Sequence, residues 1–533
     1  MKRKNIIALL LLLAAVLGGL AELYDWLLPT ISWPFTVSRE MSILSAPGEW
    51  CPALAVDGRV HWFGWLCMGL VGLVSIYLLL RRTESMRVAP MVARRWSQFR
   101  KFRRGYWSLM VLVGLLVLAG LDQAVVGKRA LLVCDGENMY LPAFRRNIYT
   151  GREFGLTGNG AVGEADYRKL KTECGKPGMP TLVVMPLIPY DATMDAVPFP
   201  TELLKLKDEG LLGDPETGKP YNGQASRLYP NGKAHLRLRY RAGLPDGHAQ
   251  GWTEDGREVY SATYEKGKLT RHHFWGEGAE ADFLALTPAD KVSRVYYHPA
   301  PPLTGGHLLG TNSQGADIAA YLYGGLQVNI KAALFYVPAI YAIGLTLGMF
   351  MGYFAGKFDL ITQRVIEVFS QLPFLFVVMV LSDLVPHELR GMFLIMSLLS
   401  AFGWIHITYL VRTATMKEKT RDYVAAARVM GAGTFHILTR HILPNLTAIV
   451  VTLLPFSLAA VVLSLASLDY MGFGLPDSYA SWGRLLNDGL SKLSSPWVVS
   501  SAFVALVTLL LLVTFVGEAV REAVDPRRHT YYE

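Results

Sequence analysis

Several groupings of residues in this chain have types and spacings that chemistry uses. Gly213 to Pro220 reads GDPETGKP and carries the G-x4-G-K core of a phosphate loop. Such a loop needs Ser or Thr after its lysine to hold magnesium. Pro220 stands there instead, with no strand-to-helix setting around it, so no ATP site is expected. His272 and His273 offer two imidazoles, but neighbours on a strand point to opposite faces, which predicts a solvated pair and no metal site. Cys51, Cys67, Cys134 and Cys174 show no metal-ligand spacing. Cys134 and Cys174 share one polar region and can pair in an oxidising compartment, two free thiols being the alternative. Glu367, Gln371 and His406 lie within or near apolar runs, where polar groups tend to face a bundle interior or a cavity. They are candidates for lining a pathway.

A different kind of chemistry, protein docking, is written into Tyr423 to Leu446, YVAAARVMGAGTFHILTRHILPNL. Residues 421–430 are expected to form a helix in which Ala425, Ala426 and Ala427 permit close approach, with Arg428 following. Gly431 or Gly433 supplies a turn that a Cβ would resist. Phe435, Ile437, Leu438 and Ile442 give a second stretch an apolar face, and Leu443-Pro444 is expected to end it, because proline cannot continue a helix. The product is a short elbow suited to a groove on another protein.

The elements that must hold this elbow are membrane spans. The 533 residues are 52% hydrophobic and 18% charged, against about 25% charged in a soluble domain. A span needs about 20 mostly apolar residues. Eight such runs fall near 6–28, 62–80, 106–122, 332–354, 365–382, 392–411, 446–468 and 497–517. The net charge of +9 belongs to loops on one side. Lys2, Arg3 and Lys4 precede the first run, nine cations crowd 81–104, Arg412 to Arg440 supply the elbow, and Arg521, Arg527 and Arg528 end the chain. Eight spans with both termini cytoplasmic put all these clusters inside. The first run also has the basic start and Gly19-Leu20-Ala21 of a signal peptide, although Trp26, Leu27 and Leu28 extend it. Arg94 to Arg104, RRWSQFRKFRR, reads as a positive-inside loop with aromatic anchors rather than a nucleic-acid site.

The fold class expected is therefore a mainly α-helical polytopic membrane protein of about eight transmembrane helices with an inserted β-rich extracytoplasmic domain. Its divisions fall at 1–122 (three spans and a basic loop), 123–327 (the extracytoplasmic domain) and 328–533 (the transmembrane core). Within the insertion, Gly232, Tyr240 and Gly243 recur as Gly256, Tyr264 and Gly267 at an offset of 24 residues. Asn231-Gly232 and Asp255-Gly256 are hairpin-turn pairs, and 237–240 and 259–264 read as strands. These units, at about 220–275, resemble MORN-type hairpin repeats.

Three stretches in the second half carry a further resemblance. His307 to Gly325 is HLLGTNSQGADIAAYLYGG; the elbow follows, and then Asp469 to Leu486, DYMGFGLPDSYASWGRLL. Their order and spacing are similar to the C-type permease subunit of the dipeptide/oligopeptide/nickel family of ABC importers, closest in look to microcin C-type peptide permeases. The lead-in motif keeps Gly310, Thr311, Gly315 and Asp317, but Asn312 and Ala316 replace the family's Asp and Arg. The elbow matches the family's EAA loop, with Ala425 where the motif glutamate stands.

The resemblance implies a permease moving peptides or peptide-like compounds across the inner membrane. It implies a second permease subunit, two cytoplasmic ATPase subunits that bind ATP and magnesium, a periplasmic substrate-binding protein and membrane lipids around the spans. This chain itself would bind no cofactor or nucleic acid and catalyse nothing. The competing expectation is a membrane-anchored envelope interaction protein whose external repeats bind a partner and whose permease half is a degenerate scaffold.

Overall fold

In the computed structural model the described residues are 3–28, 30–40, 46–47, 59–80, 90–136, 138–156, 163–193, 200–202, 204–205, 211–213, 219–229, 234–253, 255–275, 292–295, 299–304, 306–386 and 391–524. The chain divides into two compact units, residues 1–195 with 316–533 and residues 196–315.

The first unit begins with α1 (Arg3–Leu23), α2 (Trp33–Glu40), α3 (Trp62–Leu80), α4 (Pro90–Lys101) and α5 (Arg103–Gly120). The apolar run expected to reach residue 28 leaves the helix at Leu23. The cause is charge. Glu22 is fully buried at the end of α1, where its carboxylate accepts from Arg39 and from Arg146 at 2.9 Å. Arg146 also meets Asp25 at 3.4 Å, and the Leu27 N–H donates to the Phe144 carbonyl at 2.8 Å. A buried carboxylate is tolerated only when paired in this way. Residues 24–28 therefore pair with the 144–146 segment instead of lengthening the span.

A small α/β module follows α5. Strands β1 (Leu132–Asp135), β2 (Asn138–Tyr140) and β3 (Leu182–Val184) form an antiparallel sheet in the order β2-β1-β3, and α6 (Tyr167–Glu173) packs on it. Val133, Phe154, Leu156, Tyr167 and Leu170 make its core. Asp166 caps α6 by accepting from the Arg168 and Lys169 amides. The pairing raised for Cys134 and Cys174 is not made, and both are free thiols. Cys174 lies against the core that Val133 enters, and its thiol donates to the Pro180 carbonyl at 3.2 Å. Cys134 follows Val133 on the strand and so points to the other face.

The transmembrane part resumes with α7 (Ile318–Phe354), α8 (Gly356–Gln371), α9 (Phe374–Leu384), α10 (Met392–Gly403), α11 (Ile405–Lys419) and α12 (Asp422–Val429). It ends with α13 (Thr434–Tyr470), α14 (Trp482–Ser491) and α15 (Pro496–Val524). Among the described residues six helical stretches are long and apolar enough to cross a membrane, or seven if α8 and α9 form one broken span. The run 365–382 is thus not one straight span: α8 and α9 meet at 75°. Pro373 explains the break, because proline disfavours helix in the residue before it and contributes no N–H.

Of the four glycines spaced along 344–356, three line the contact of α7 with α11. A Cβ at Gly344 would lie 2.8 Å from Ile407, at Gly348 2.8 Å from the Thr408 carbonyl and at Gly352 2.6 Å from Thr415. Gly356 does not join the stripe. It starts α8 with φ +60°, and open space faces its missing side chain. The close approach packs Ile340, Ile407 and Val411 into the main core with Ile395, Met396 and Leu399.

The second unit is an antiparallel β-sheet. It includes β4 (Gly223–Leu228), β5 (Ala234–Arg241), β6 (Leu244–Trp252), β7 (Glu258–Glu265) and β8 (Lys268–Phe274), paired in sequence as successive hairpins. The expected strands 237–240 and 259–264 lie within β5 and β7. Two hairpins turn at Ala242-Gly243 (φ 49° and 79°) and Lys266-Gly267 (φ 46° and 85°). Positive φ at both central residues is the twist-matched turn for hairpins. Gly256 turns between β6 and β7 with φ +89°. Asn231-Gly232 lies outside the described residues. On β8, His272 and His273 pair with Ala262 and Ser261 of β7 and point to opposite sides of the sheet.

Two predictions follow from this packing. Gly348→Leu should cost about 1–3 kcal/mol by overpacking, read as a lower melting temperature of the purified chain. Gly114→Leu, with open space around it, should melt within about 0.5 kcal/mol of wild type. Glu164 is part-buried, which alone would raise its pKa, but hydrogen bonds and charge from Lys128 (3.1 Å) and Arg129 (2.6 Å) hold it below its ordinary 4.5. A depressed folded-state pKa stabilises above the ordinary value and is lost as pH falls through and below it. Melting curves of wild type should therefore drop below about pH 4.5 more steeply than those of Glu164→Gln.

Candidate coupling elbow and the loop at its far end

α12 runs Asp422–Val429 and ends at Gly431, whose φ of +80° makes the turn that the sequence left to either glycine. Gly433 has φ −66° and opens α13. The elbow is fixed from beneath. Val424, Ala427, Ile437, Leu438, Ile442 and Leu446 are all at most 2% exposed and join the main core. Ala425, Ala426 and Arg428 lie on the exposed side. Beside them Val429 is 88%, Met430 78% and Phe435 75% exposed. Phe435 therefore does not share the buried face of Ile437 and Leu438, contrary to expectation. Contiguous exposed apolar groups beside a polar helix are a mark of a docking surface.

The expected stop at Pro444 does not occur. The helix passes through it from Thr434 to Tyr470. Ile437–Ile442 are wound as a π turn, closed by the Leu443 N–H donating to the Leu438 carbonyl. Proline lacks a donor and crowds the carbonyl four residues back. A π turn just before it widens the coil, and Pro444 sits in the first turn of the α-helix that follows, where its missing donor costs nothing.

Polar contacts tie the elbow to α7 and α8. Arg428 donates to the Tyr353 hydroxyl at 3.3 Å, with its guanidinium 5.6 Å from that ring's centre. The Lys419 ammonium donates to the Tyr353 carbonyl. Arg412 grips Asp359 with two hydrogen bonds of 2.5 and 2.6 Å. Tyr423 donates to Glu418 at 2.6 Å and accepts from Asn445 at 2.8 Å, joining α11, α12 and α13. Burial, then the bond to Glu418, raises the Tyr423 phenol above its ordinary range, so it remains a donor at neutral pH.

The other end of α13 carries the third sequence motif. Asp469 is buried and accepts from the Leu475 amide at 2.6 Å and from the Ser481 hydroxyl at 2.5 Å. Ser481 caps α14. Arg484 bonds the Tyr479 and Leu475 carbonyls and pairs with Asp477 at 3.1 Å. Gly474 is required, because a Cβ would fall 1.8 Å from the Asp469 carboxylate. Trp482 then lies in the niche left by Gly325 and donates to the Leu322 carbonyl at 2.9 Å.

The lead-in motif is also structural in detail. Thr311 accepts from the Ala300 amide at 2.7 Å, and Gly310 has φ +81° with a carbonyl 2.3 Å from where its Cβ would be. Asn312 accepts from the Gln314 amide at 3.0 Å, and Gly315 completes that turn with φ +87°. Asp317 caps α7 through the Ala320 amide at 2.7 Å. Of the pathway candidates, Glu367 pairs with Arg364 at 2.6 Å, and Gln371 and His406 are exposed. The roles of Asp359, Asp469, Ser481 and Arg484 were not assigned from sequence. An isolated acid or base at the end of an apolar run was the available signal. Asp469→Ala strands two buried donors and should cost about 2–5 kcal/mol. Asp469→Asn, which keeps an acceptor, should lose less; thermal unfolding of the two variants compares them.

The elbow, α13 and the Asp469 loop lie where a family model matches. Residues 344–530 match the family model described as binding-protein-dependent transport system inner membrane component. Over 230 residues, 43% of the chain, it is 36% identical to the peptidoglycan transport system permease protein YejE of Agrobacterium fabrum, covering 60% of that protein. It is 37% identical to the inner membrane ABC transporter permease protein YejE of Escherichia coli, covering 66% of it. The chain thus spans less than two thirds of each of these two relatives. It is 33% identical over 232 residues to the oligopeptide transport system permease protein OppC of Lactococcus lactis subsp. lactis and covers 78% of that protein. With the matched region holding the elbow, the long helix above it and the Asp469 loop, this chain belongs to the family of binding-protein-dependent transport system inner membrane components.

Proposed function

We propose that this chain is the permease subunit of an ABC importer, moving peptides or peptide-like compounds across the inner membrane. The observation that carries it is the exposed apolar elbow, Val429, Met430 and Phe435 around Gly431, seated at the foot of a single 37-residue helix. The names of the relatives, an oligopeptide permease among them, support the substrate class.

In this reading eight spans cross the membrane, counting α1 and the broken α8–α9 pair, and both termini are cytoplasmic. The basic clusters support that orientation. A second permease completes the pathway, with Glu367, Gln371 and His406 facing it. Two cytoplasmic ATPase subunits bind ATP and magnesium and dock on the elbows around Ala425, Ala426, Arg428, Gly431, Leu443 and Pro444, with Ala427 buried beneath them. A periplasmic binding protein delivers substrate. Residues 123–327 form the periplasmic domain, with MORN-like hairpins at about 220–275 as a surface for that protein or another envelope partner. ATP binding favours one packing of the two permeases, and hydrolysis releases it. With Ala425 in place of the motif glutamate, contact with the ATPase rests on the apolar groups and Arg428.

Co-purification with ABC ATPase subunits co-expressed from the same source tests this. Val429→Glu and Phe435→Glu should each weaken capture about tenfold or more, a change of about 1.4 kcal/mol, while melting stays at the wild-type value. Capture equal to wild type removes the elbow from the interface. No capture by wild type overturns the transport reading in favour of the envelope interaction protein.

A further inference from the structure

Two neighbouring recesses run along the pair formed by α5 and α15. One is an apolar groove of about 470 Å³ walled by Leu109, Leu112 and Leu116 of α5, Ala333 of α7, Leu458 of α13 and Val513 of α15. The other, of about 600 Å³, opens at the start of α5 and the end of α15. Lys101, Arg103, Arg104 and Arg521 line it, with Glu518 and Glu522. Four cations face two carboxylates, so the recess keeps an excess of two positive charges.

The two recesses share helices and follow each other in sequence. Arg103 and Arg104 border the charged one, and Leu109 to Leu116 border the apolar one, on the same helix. From Arg103 to Leu116 is about 20 Å at about 1.5 Å per residue, more than one leaflet of a hydrocarbon core about 30 Å thick. The walls of the groove are aliphatic almost throughout. Asn329 also borders it, with its amide donating to the Gly325 carbonyl at 2.8 Å.

α4 frames the charged end. It is a basic amphipathic helix whose Phe99 packs with Ala519 and Ala523 of α15. Its Arg100 lies 5.4 Å from the Trp96 ring and 5.9 Å from that of Tyr106. Arginine and tryptophan on a short helix at the end of a span are suited to the headgroup layer.

We propose that this composite recess is a binding site for one anionic glycerophospholipid, with its phosphate among Lys101, Arg103 and Arg104 and one acyl chain in the groove between α5, α7, α13 and α15. A positively charged pocket leading into an aliphatic trough matches that molecule, charge to charge and chain to trough. The site lies between α5, which precedes the family-matched region, and α13 and α15, which lie inside it, with α7 entering that region at residue 344. The bound lipid therefore fills the seam between the amino-terminal spans and the permease core. The proposal needs α5 and α15 to be membrane spans and does not depend on what is transported.

Native mass spectrometry tests it on the full chain released from nanodiscs of equal parts phosphatidylglycerol and phosphatidylcholine. Wild type should retain one phosphatidylglycerol in preference to phosphatidylcholine, by about fivefold for each participating basic residue. Arg103→Gln with Arg104→Gln should abolish the preference. Ala333→Trp, which fills the groove without touching a charge, should reduce retention of both lipids. Arg95→Gln, outside the recess, should leave the preference unchanged. No headgroup preference in wild type overturns the proposal, as does wild-type retention by the Ala333→Trp variant. Size-exclusion profiles and melting temperatures show that each variant is folded. Because no ATPase is present, failure here leaves the transport reading standing, and failure of ATPase capture leaves this one standing.

Discussion

The contact of two helix backbones along Gly344, Gly348 and Gly352 is the constraint on which the transmembrane unit depends. Little apolar driving force separates helix–helix from helix–lipid contact in a bilayer, so close packing through small residues has to supply the affinity. With α11 held against α7, Arg412 reaches Asp359, Lys419 reaches the Tyr353 carbonyl and Arg428 reaches the Tyr353 hydroxyl. The underside of the elbow then has a surface to bury Val424, Ala427 and Ile437 against. The elbow is not a loop ordered by its own sequence; it is a cap on a helix pair.

Buried carboxylates mark the other fixed points. Glu22 is answered by two arginines, Asp359 by the fork of Arg412, and Asp469 by an amide and a hydroxyl. Each would be prohibitive alone in an apolar setting. Each therefore commits a second segment to one position: the 144–146 segment, α11, and the loop before α14. A few ionic and hydrogen-bonded contacts thus determine which apolar surfaces meet, while the apolar surfaces supply most of the area.

The long spans were legible because hydropathy over about 20 residues needs no knowledge of neighbours. So were the elbow and its turn, since Gly431 stands between two helix-forming stretches. What could not be read was tertiary. The shortening of α1 depends on Arg39 and Arg146, which approach Glu22 only in the fold. The passage through Pro444 depends on a π turn, which has no residue signature of its own. Phe435 looked like part of an apolar face because its neighbours are apolar. It lies two residues before Ile437, about 200° away around a helix at 3.6 residues per turn, so it faces out while Ile437 and Leu438 point in. Of the two alternatives left open for Cys134 and Cys174 the fold shows free thiols, and strand alternation puts Cys134 on the face away from the core that Cys174 borders.

The unbroken run of α13 makes the elbow one end of a rod. Thirty-seven residues at about 1.5 Å each give a length of about 55 Å. Pro444 leaves the winding continuous, and Pro455, inside the same helix, is the one interior proline between the π turn and Tyr470. A tilt of about 5° about one end of such a rod displaces the other by about 5 Å. The far end holds Asp469, whose carboxylate positions Leu475, Ser481 and, through them, Trp482. A tilt of this helix about its elbow end would thus be felt most at the anchored loop that seats Trp482 against α7. The length of one helix sets the size of that shift.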